Sequence, residues 1–213
     1  MKSCVIFAGG EQVSKNCVDF DETENSLVIS ADRGFLLAEK FGIKSDIIIG
    51  DFDSLGSVPK FDSEVITFPP EKDDTDLMLA VKEGLKAGCK TFTLYGCMGG
   101  RFDHTLGNIQ TLAYLVEKGA IGKIISDSEI IQLVPSGNYK IKKRENFSLS
   151  LLSYSEQVTG LTIRGAEYTL DNGTVCNSFP IGISNKISED YAEISFNSGK
   201  LLIIQSDLLT KIS

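Results

Sequence analysis

The sequence predicts an α/β protein, with a doubly wound, mostly parallel sheet over residues 1–134 and an all-β sandwich or barrel-like domain over 135–213. Three observations predict it. Short apolar runs alternate with helically spaced stretches up to about Val134, the helical period then disappears, and short strand-like runs separated by turn residues follow from Tyr139 onward.

The strand candidates of the first half are residues 4–8 (CVIFA), 27–31 (LVISA), 46–50 (DIIIG), 64–68 (EVITF), 91–96 (TFTLYG) and 123–127 (KIISD). Near-continuous apolar strands suit a sheet covered on both faces. Two helices are well signalled. Over 74–86, Leu77, Val81 and Leu85 form one stripe, with acids in the first turn and Gly88 just past the end. Over 103–118, Leu106, Ile109, Ala113 and Val116 share a face, and Gly119 follows. Strands alternating with helices predict the parallel sheet.

In the second half the runs are YKIKK, FSLSLLSY, GLTIRG, TVCNSF, AEISF and KLLIIQ, and turns are expected at 136–138, 172–173 and 197–199. Such short strands indicate a small antiparallel sandwich or barrel. No internal repeat or low-complexity linker interrupts the chain.

Bulk properties narrow the function. A chain of 213 residues, 42% of them hydrophobic, can bury a core without disulfides. Its five cysteines are scattered, with no CxxC pair or zinc-ligand spacing, and read as reduced thiols of a cytoplasmic protein. The first apolar run is too brief for a signal peptide, and none approaches the roughly 20 residues of a membrane span. A net charge of −8 without a Lys/Arg-rich stripe argues against nucleic acid as partner.

The acids carry the functional signal. Asp32 follows the second strand, Asp51 and Asp53 the third, Asp73, Asp74 and Asp76 the fourth, and Asp103 the fifth. Ligands of an open parallel sheet bind at the loops beyond the strands' carboxyl ends. Two like charges ~4 Å apart repel by about 4 kcal/mol at an effective dielectric of ~20, so such a ring calls for a cation. Hard oxygen ligands suit Mg²⁺, which shares its coordination with substrate phosphates. Taken singly, an aspartate here reads as a cap or turn residue. Capping accounts for Asp103 and for Asp73, but not for the Asp51/Asp53 pair.

The segment GCMGGRFDH supports a phosphate ligand. Gly99 and Gly100 permit close backbone approach, Arg101 offers a planar fork, and a helix N-terminus follows. His104 is the one histidine of the chain and reads first as a polar helix-start residue.

Familiar motifs fit these residues less well. The DFDSLG loop is not a calcium loop, because Leu55 takes a ligand position and a strand precedes it. No GxxxxGK[ST] occurs, which excludes a P-loop. A haloacid-dehalogenase-like phosphatase using Asp51 and Asp53 remains an alternative, as does a non-catalytic Mg²⁺ and nucleotide sensor.

Taken together, Asp32 in SADRG, GDFDS at 50–54, DDTD at 73–76 and GGRFDH at 99–104 resemble the signature series of thiamine pyrophosphokinases in order and spacing. The likeness continues through 160–162, 168–170 and 183–185. It implies Mg²⁺-dependent transfer of a pyrophosphoryl group from ATP to thiamine, giving thiamine diphosphate and AMP. It also implies a metal held by Asp51, Asp53, Asp73 and Asp76, and nucleotide contacts from Asp32, Asp74, Thr75, Gly100, Arg101 and His104. Catalysis would fall to Asp51, Asp53, Asp76, Arg101 and Asp103, and thiamine contacts to Asp103, Tyr168, Ser184 and Asn185. The resemblance further implies a homodimer with the thiamine site at the subunit interface.

Overall fold

The apolar runs of the first half become parallel strands, the central ones with side chains buried on both faces. A computed structural model describes residues 2–10, 13–50, 63–67 and 74–209. By its own contacts the chain divides into two compact units, Met1–Asp127 and Ser128–Ser213. The border expected at 134/135 falls inside a long strand of the second unit, because the run EIIQLV opens that strand rather than closing the first half.

In the first unit, β1 (Ser3–Phe7), β2 (Leu27–Ala31), β3 (Ile47–Gly50), β4 (Glu64–Thr67), β5 (Thr91–Tyr95) and β6 (Ile121–Ile125) pair in parallel, in the order β6-β5-β1-β2-β3-β4. Helices α1 (Phe20–Glu24), α2 (Gly34–Lys40), α3 (Asp76–Lys86) and α4 (Phe102–Glu117) join them. The central β1 shows why its sequence is continuously apolar, since Cys4, Val5, Ile6 and Phe7 are all fully buried. Val5 and Phe7 pack with Leu37, Ala38 and Phe41 of and beside α2. Cys4 faces α3 at Gly84, where an added Cβ would come within 3.1 Å of the Cys4 Sγ. Alternate residues thus meet helices on opposite faces, as period-2 geometry requires.

Local chemistry sets the helix ends. α3 starts at Asp76 rather than at 74 because the Thr75 hydroxyl caps it, accepting from the Met78 N–H at 3.2 Å. α1 and α2 have five and seven residues, too few to reveal a helical period in sequence. Gly34, the first residue of α2, is required by packing: a Cβ there would lie 1.9 Å from the carbonyl oxygen of Phe7.

The second unit is antiparallel. It comprises β7 (Glu129–Lys142), β8 (Phe147–Ser153), β9 (Gln157–Arg164), β10 (Leu170–Cys176) and β11 (Tyr191–Asp207). β11 pairs with β7 along its length. On its other edge it pairs with β9 through residues 193–198 and with β8 through residues 201–207. Leu149, Leu151, Val158, Leu161, Ala192, Ile194 and Ile203 belong to its core.

Three segments expected as turns are strand interiors. Residues 136–138 and 197–199 lie within β7 and β11, facing each other across a register shift, and 172–173 lies at register shifts within β10. Gly and Asn supply the same backbone freedom to a bulge as to a reversal, and a bulge bends the strand without ending it. AEISF and KLLIIQ are consequently one strand, not two.

Candidate active site

Strand order places a crevice at one point of the first unit. From β1 the chain winds through β2, β3 and β4 to one side, then returns past β1 to build β5 and β6 on the other. The loops leaving β1 and β5 therefore diverge, which opens the sheet's carboxyl end to a ligand. A cleft of about 600 Å³ opens there, and its lining includes Gly9, Gly10, Asp32, Thr75, Asp76, Gly100, Arg101, Asp103, His104 and Asn108. Two other cavities, of about 450 and 680 Å³, lie in the second unit, each lined by a single carboxylate residue. Chemistry, not size, distinguishes the cleft.

Each side chain reaches the cleft for a local reason. Asp32 takes a left-handed backbone (φ 51°), a conformation aspartate tolerates better than most residues, and its N–H donates to the Ile49 carbonyl at 2.7 Å. Asp76 opens α3, where the helix dipole favours an acid. The loop after β5 takes its shape from glycine: Gly96, Gly99 and Gly100 have φ of 68°, 80° and 67°. Gly10 N–H donates to the Gly96 carbonyl at 2.8 Å, which joins this loop to the one after β1.

Arg101 and Asp103 form a two-point pair at the start of α4. Nε donates to Oδ1 at 3.1 Å and an Nη donates to Oδ2 at 2.5 Å. The guanidinium holds the Asp103 carboxyl below the usual carboxylate range, helped by the His104 N–H, and the carboxylate raises Arg101 in turn. For a depressed carboxylate, the associated stabilisation is present above its ordinary value and is lost as pH falls through the folded one, so the pair is intact at neutral pH. Asp103 is therefore not the helix cap: Arg101 occupies that position without a capping side-chain bond.

Among the described residues, no group of three or more His, Cys, Asp or Glu is arranged to hold a metal. Of the ligands expected from sequence, Asp51, Asp53 and Asp73 lie outside the described residues. Asp76 lines the cleft with Asp32. Asp74 is not in the lining; it pairs with Lys82 at 2.6 Å.

Tyr168, Ser184 and Asn185 belong to the second unit. Asn185 is buried, and its amide clamps the Tyr168 backbone from both sides, accepting from its N–H at 3.0 Å and donating to its carbonyl at 2.7 Å. Tyr168 is 71% exposed and Ser184 is also exposed, so these two present free surface while Asn185 holds the backbone.

Asn108 and Gly107 line the cleft and were not expected to. Arg101, His104 and Asn108 recur at three- and four-residue spacing, but that stripe runs on into the buried Leu112 and Leu115, so it does not read as a separate polar face of α4. Cys97 also lines the cleft, but burial pushes its thiol up to about 12 and its Sγ is directed to the Tyr95 carbonyl. A thiol so protonated is no nucleophile. Cys97→Ala is expected to leave turnover within about threefold of the parent, and a loss beyond about tenfold in a folded variant would contradict that role as a bystander.

Comparison with known proteins matches both units. Residues 22–122 match the family model described as thiamin pyrophosphokinase, catalytic domain, and residues 138–201 match its vitamin B1 binding domain. Thiamine pyrophosphokinase of Bacillus subtilis (strain 168) is 32% identical over 97% of this chain and 99% of its own. Thiamine pyrophosphokinase 1 of Oryza sativa subsp. japonica is 28% identical over 73% of this chain and 64% of its own. Among solved structures, the Bacillus subtilis enzyme superposes with a TM-score of 0.86 at 31% identity, covering 97% of this chain and 99% of that one. An Enterococcus faecalis thiamin pyrophosphokinase family protein gives 0.80 at 27%, covering 97% and 99%. With matches to the models of both halves and a full-length relative above 30% identity, the chain belongs to the thiamine pyrophosphokinase family of transferases.

Proposed function

We propose that the chain transfers a pyrophosphoryl group from ATP to thiamine in a Mg²⁺-dependent reaction, yielding thiamine diphosphate and AMP. One observation carries the reading: Arg101 and Asp103 at the start of α4 line the same cleft as Asp32 and Asp76. A fork for phosphate thus shares a site with hard-oxygen donors.

Forming thiamine diphosphate and AMP breaks the bond between the α-phosphate oxygen and the β-phosphorus of ATP. It makes a new bond from the thiamine hydroxyethyl oxygen to that phosphorus, and the hydroxyl proton is lost. In this reading Asp32, Thr75, Gly100, Arg101 and His104 of the cleft lining bind the nucleotide, and Arg101 offsets negative charge on the transferred group. Asp103 orients Arg101 or the thiamine. The available donors are carboxylates, which fit Mg²⁺; Asp51, Asp53, Asp73 and Asp76 would hold the ion, which would neutralise phosphate charge. No residue serves as a covalent nucleophile, so catalysis is positioning and electrostatics.

The β-rich unit, a sandwich in this reading, is the thiamine-binding and dimerisation half, with Tyr168, Ser184 and Asn185 at the thiamine. The site then lies at the interface of a homodimer, and the enzyme works in the cytoplasm, in keeping with five free cysteines.

Mixing the protein with ATP, Mg²⁺ and thiamine is expected to yield thiamine diphosphate and AMP in equal amounts by mass detection, and neither product without thiamine. Release of inorganic phosphate without thiamine would instead favour the phosphatase reading. ATP binding without any product would favour the sensor.

A further inference from the structure

The loop between β5 and α4 has few side chains to hold it. Its carbonyls are tied at two points: Gly96 accepts from the Gly10 N–H, and Cys97 accepts from the Asn108 Nδ2 at 2.7 Å. The second tie comes from α4 itself, two turns beyond Arg101. Beside it, Gly107 occupies a helix interior, where alanine is the better helix former. A Cβ on Gly107 would meet nothing within 4 Å, so internal packing does not require glycine here. Both residues line the cleft.

Resting on the reading of the cleft as the ATP site, we propose that the second turn of α4 is a working part of that site. Asn108 is a positioning residue that locks the glycine-rich loop to the helix start bearing Arg101, and Gly107 is the clearance into which the nucleotide's phosphate chain fits. The bond from Asn108 joins loop and helix into one body, so the guanidinium keeps a fixed place relative to the loop's amides. Without it, the glycines at φ 68°, 80° and 67° regain conformational freedom, and Arg101 loses its alignment with the transferred group. Gly107 acts differently, because a methyl group there would project into space that the apo protein leaves open.

Two variants of the full chain test this. Asn108→Ala is expected to lower kcat by about tenfold or more with KM for thiamine within about twofold, and to speed amide hydrogen exchange over residues 96–101. Asn108→Asp, which sets an oxygen against the Cys97 carbonyl, is expected to be at least as impaired. Parent-like kcat in either variant, or unchanged exchange in Asn108→Ala, overturns the positioning role. Gly107→Ala is expected to melt at the parent temperature or about 1–4 °C above it while its KM for ATP rises by about fivefold or more. Unchanged ATP affinity, or a lowered melting temperature, overturns the clearance role. Failure of the parent to form thiamine diphosphate would sink the reading of the cleft itself, whereas a competent parent with unaffected variants sinks only this proposal.

Discussion

Arg101→Ala is expected to lower kcat by about 100- to 1,000-fold, or roughly 2.7–4 kcal/mol of transition-state stabilisation, the range for removing a preorganised group aimed at developing charge. The structure explains why the effect should be large. Arg101 brings a positive fork to a cleft also lined by Asp32, Asp76 and Asp103, so its removal leaves those carboxylates facing an anionic substrate without its charge. The loss should fall on the chemical step, with KM for thiamine changed far less. Equal losses in turnover and thiamine affinity would show that Arg101 holds thiamine and not the transferred group. Arg101→Lys keeps the charge but not the planar fork paired to both oxygens of Asp103, and an intermediate rate is expected. Because the two side chains bond each other, Arg101→Ala and Asp103→Asn should be strongly non-additive when combined. Simple additivity would mean the pair does not act as a unit.

Gly34→Ala carries the largest expected cost in stability, roughly 3 kcal/mol or more. A Cβ at this position would lie 1.9 Å from the Phe7 carbonyl oxygen, 2.4 Å from its carbon and 2.8 Å from the Ala8 nitrogen. These are backbone atoms of and just beyond the central strand, and Phe7 is fully buried, so neither side can yield as a flexible side chain would. Relief requires α2 to lift from β1. For a protein of this size the loss should appear as a fall of about 6–12 °C in melting temperature. A melting temperature within about 2 °C of the parent would mean that the helix reseats cheaply. The same substitution at Gly107 meets open space, so the pair separates the cost of crowding from the ordinary benefit of alanine in a helix. Asp32 lies two residues before Gly34, so lost activity in a folded Gly34→Ala protein would reflect displacement of the cleft's edge.

The parallel half was readable because its central strands are buried on both faces and written as continuous apolar text, so LVISA coincides with β2 and the other described strands begin or end within two residues of expectation. α3 was equally plain, with Leu77 and Val81 buried as expected. α4 was long enough to be recognised but buries Thr111, Leu112, Ala113 and Leu115, a face rotated from the expected stripe of Leu106, Ile109, Ala113 and Val116. α1 and α2 were not recognised, since neither reaches three full turns. In the second half, period and composition correctly indicated antiparallel strands. Asn-Ser-Gly at 197–199, however, is written identically whether the chain reverses or merely bulges, and only pairing with β7 decides between them.

At the cleft, Asp32, Asp76, Arg101 and Asp103 were legible from their place after successive strands. Asn108 was missed because its contribution is a hydrogen bond to a carbonyl eleven positions earlier in the chain, a tertiary relation that no local pattern spells out. Asp74 shows the converse. It stands in the acidic run that suggested a ligand, yet its partner is Lys82, one residue beyond two helical turns away.

β11 supplies neighbours to three other strands, being the long companion of β7, of β9 over its first part and of β8 over its last. Those strands are all synthesised earlier, and each must wait for residues 191–207 before its hydrogen-bonding edge is satisfied. The second unit therefore closes late, through contacts of long sequence separation, while the first can collapse as soon as its sixth strand is made. During that interval the nascent sheet edges of β7, β8 and β9 are open to wrong partners, which makes this the stage of biogenesis most exposed to aggregation.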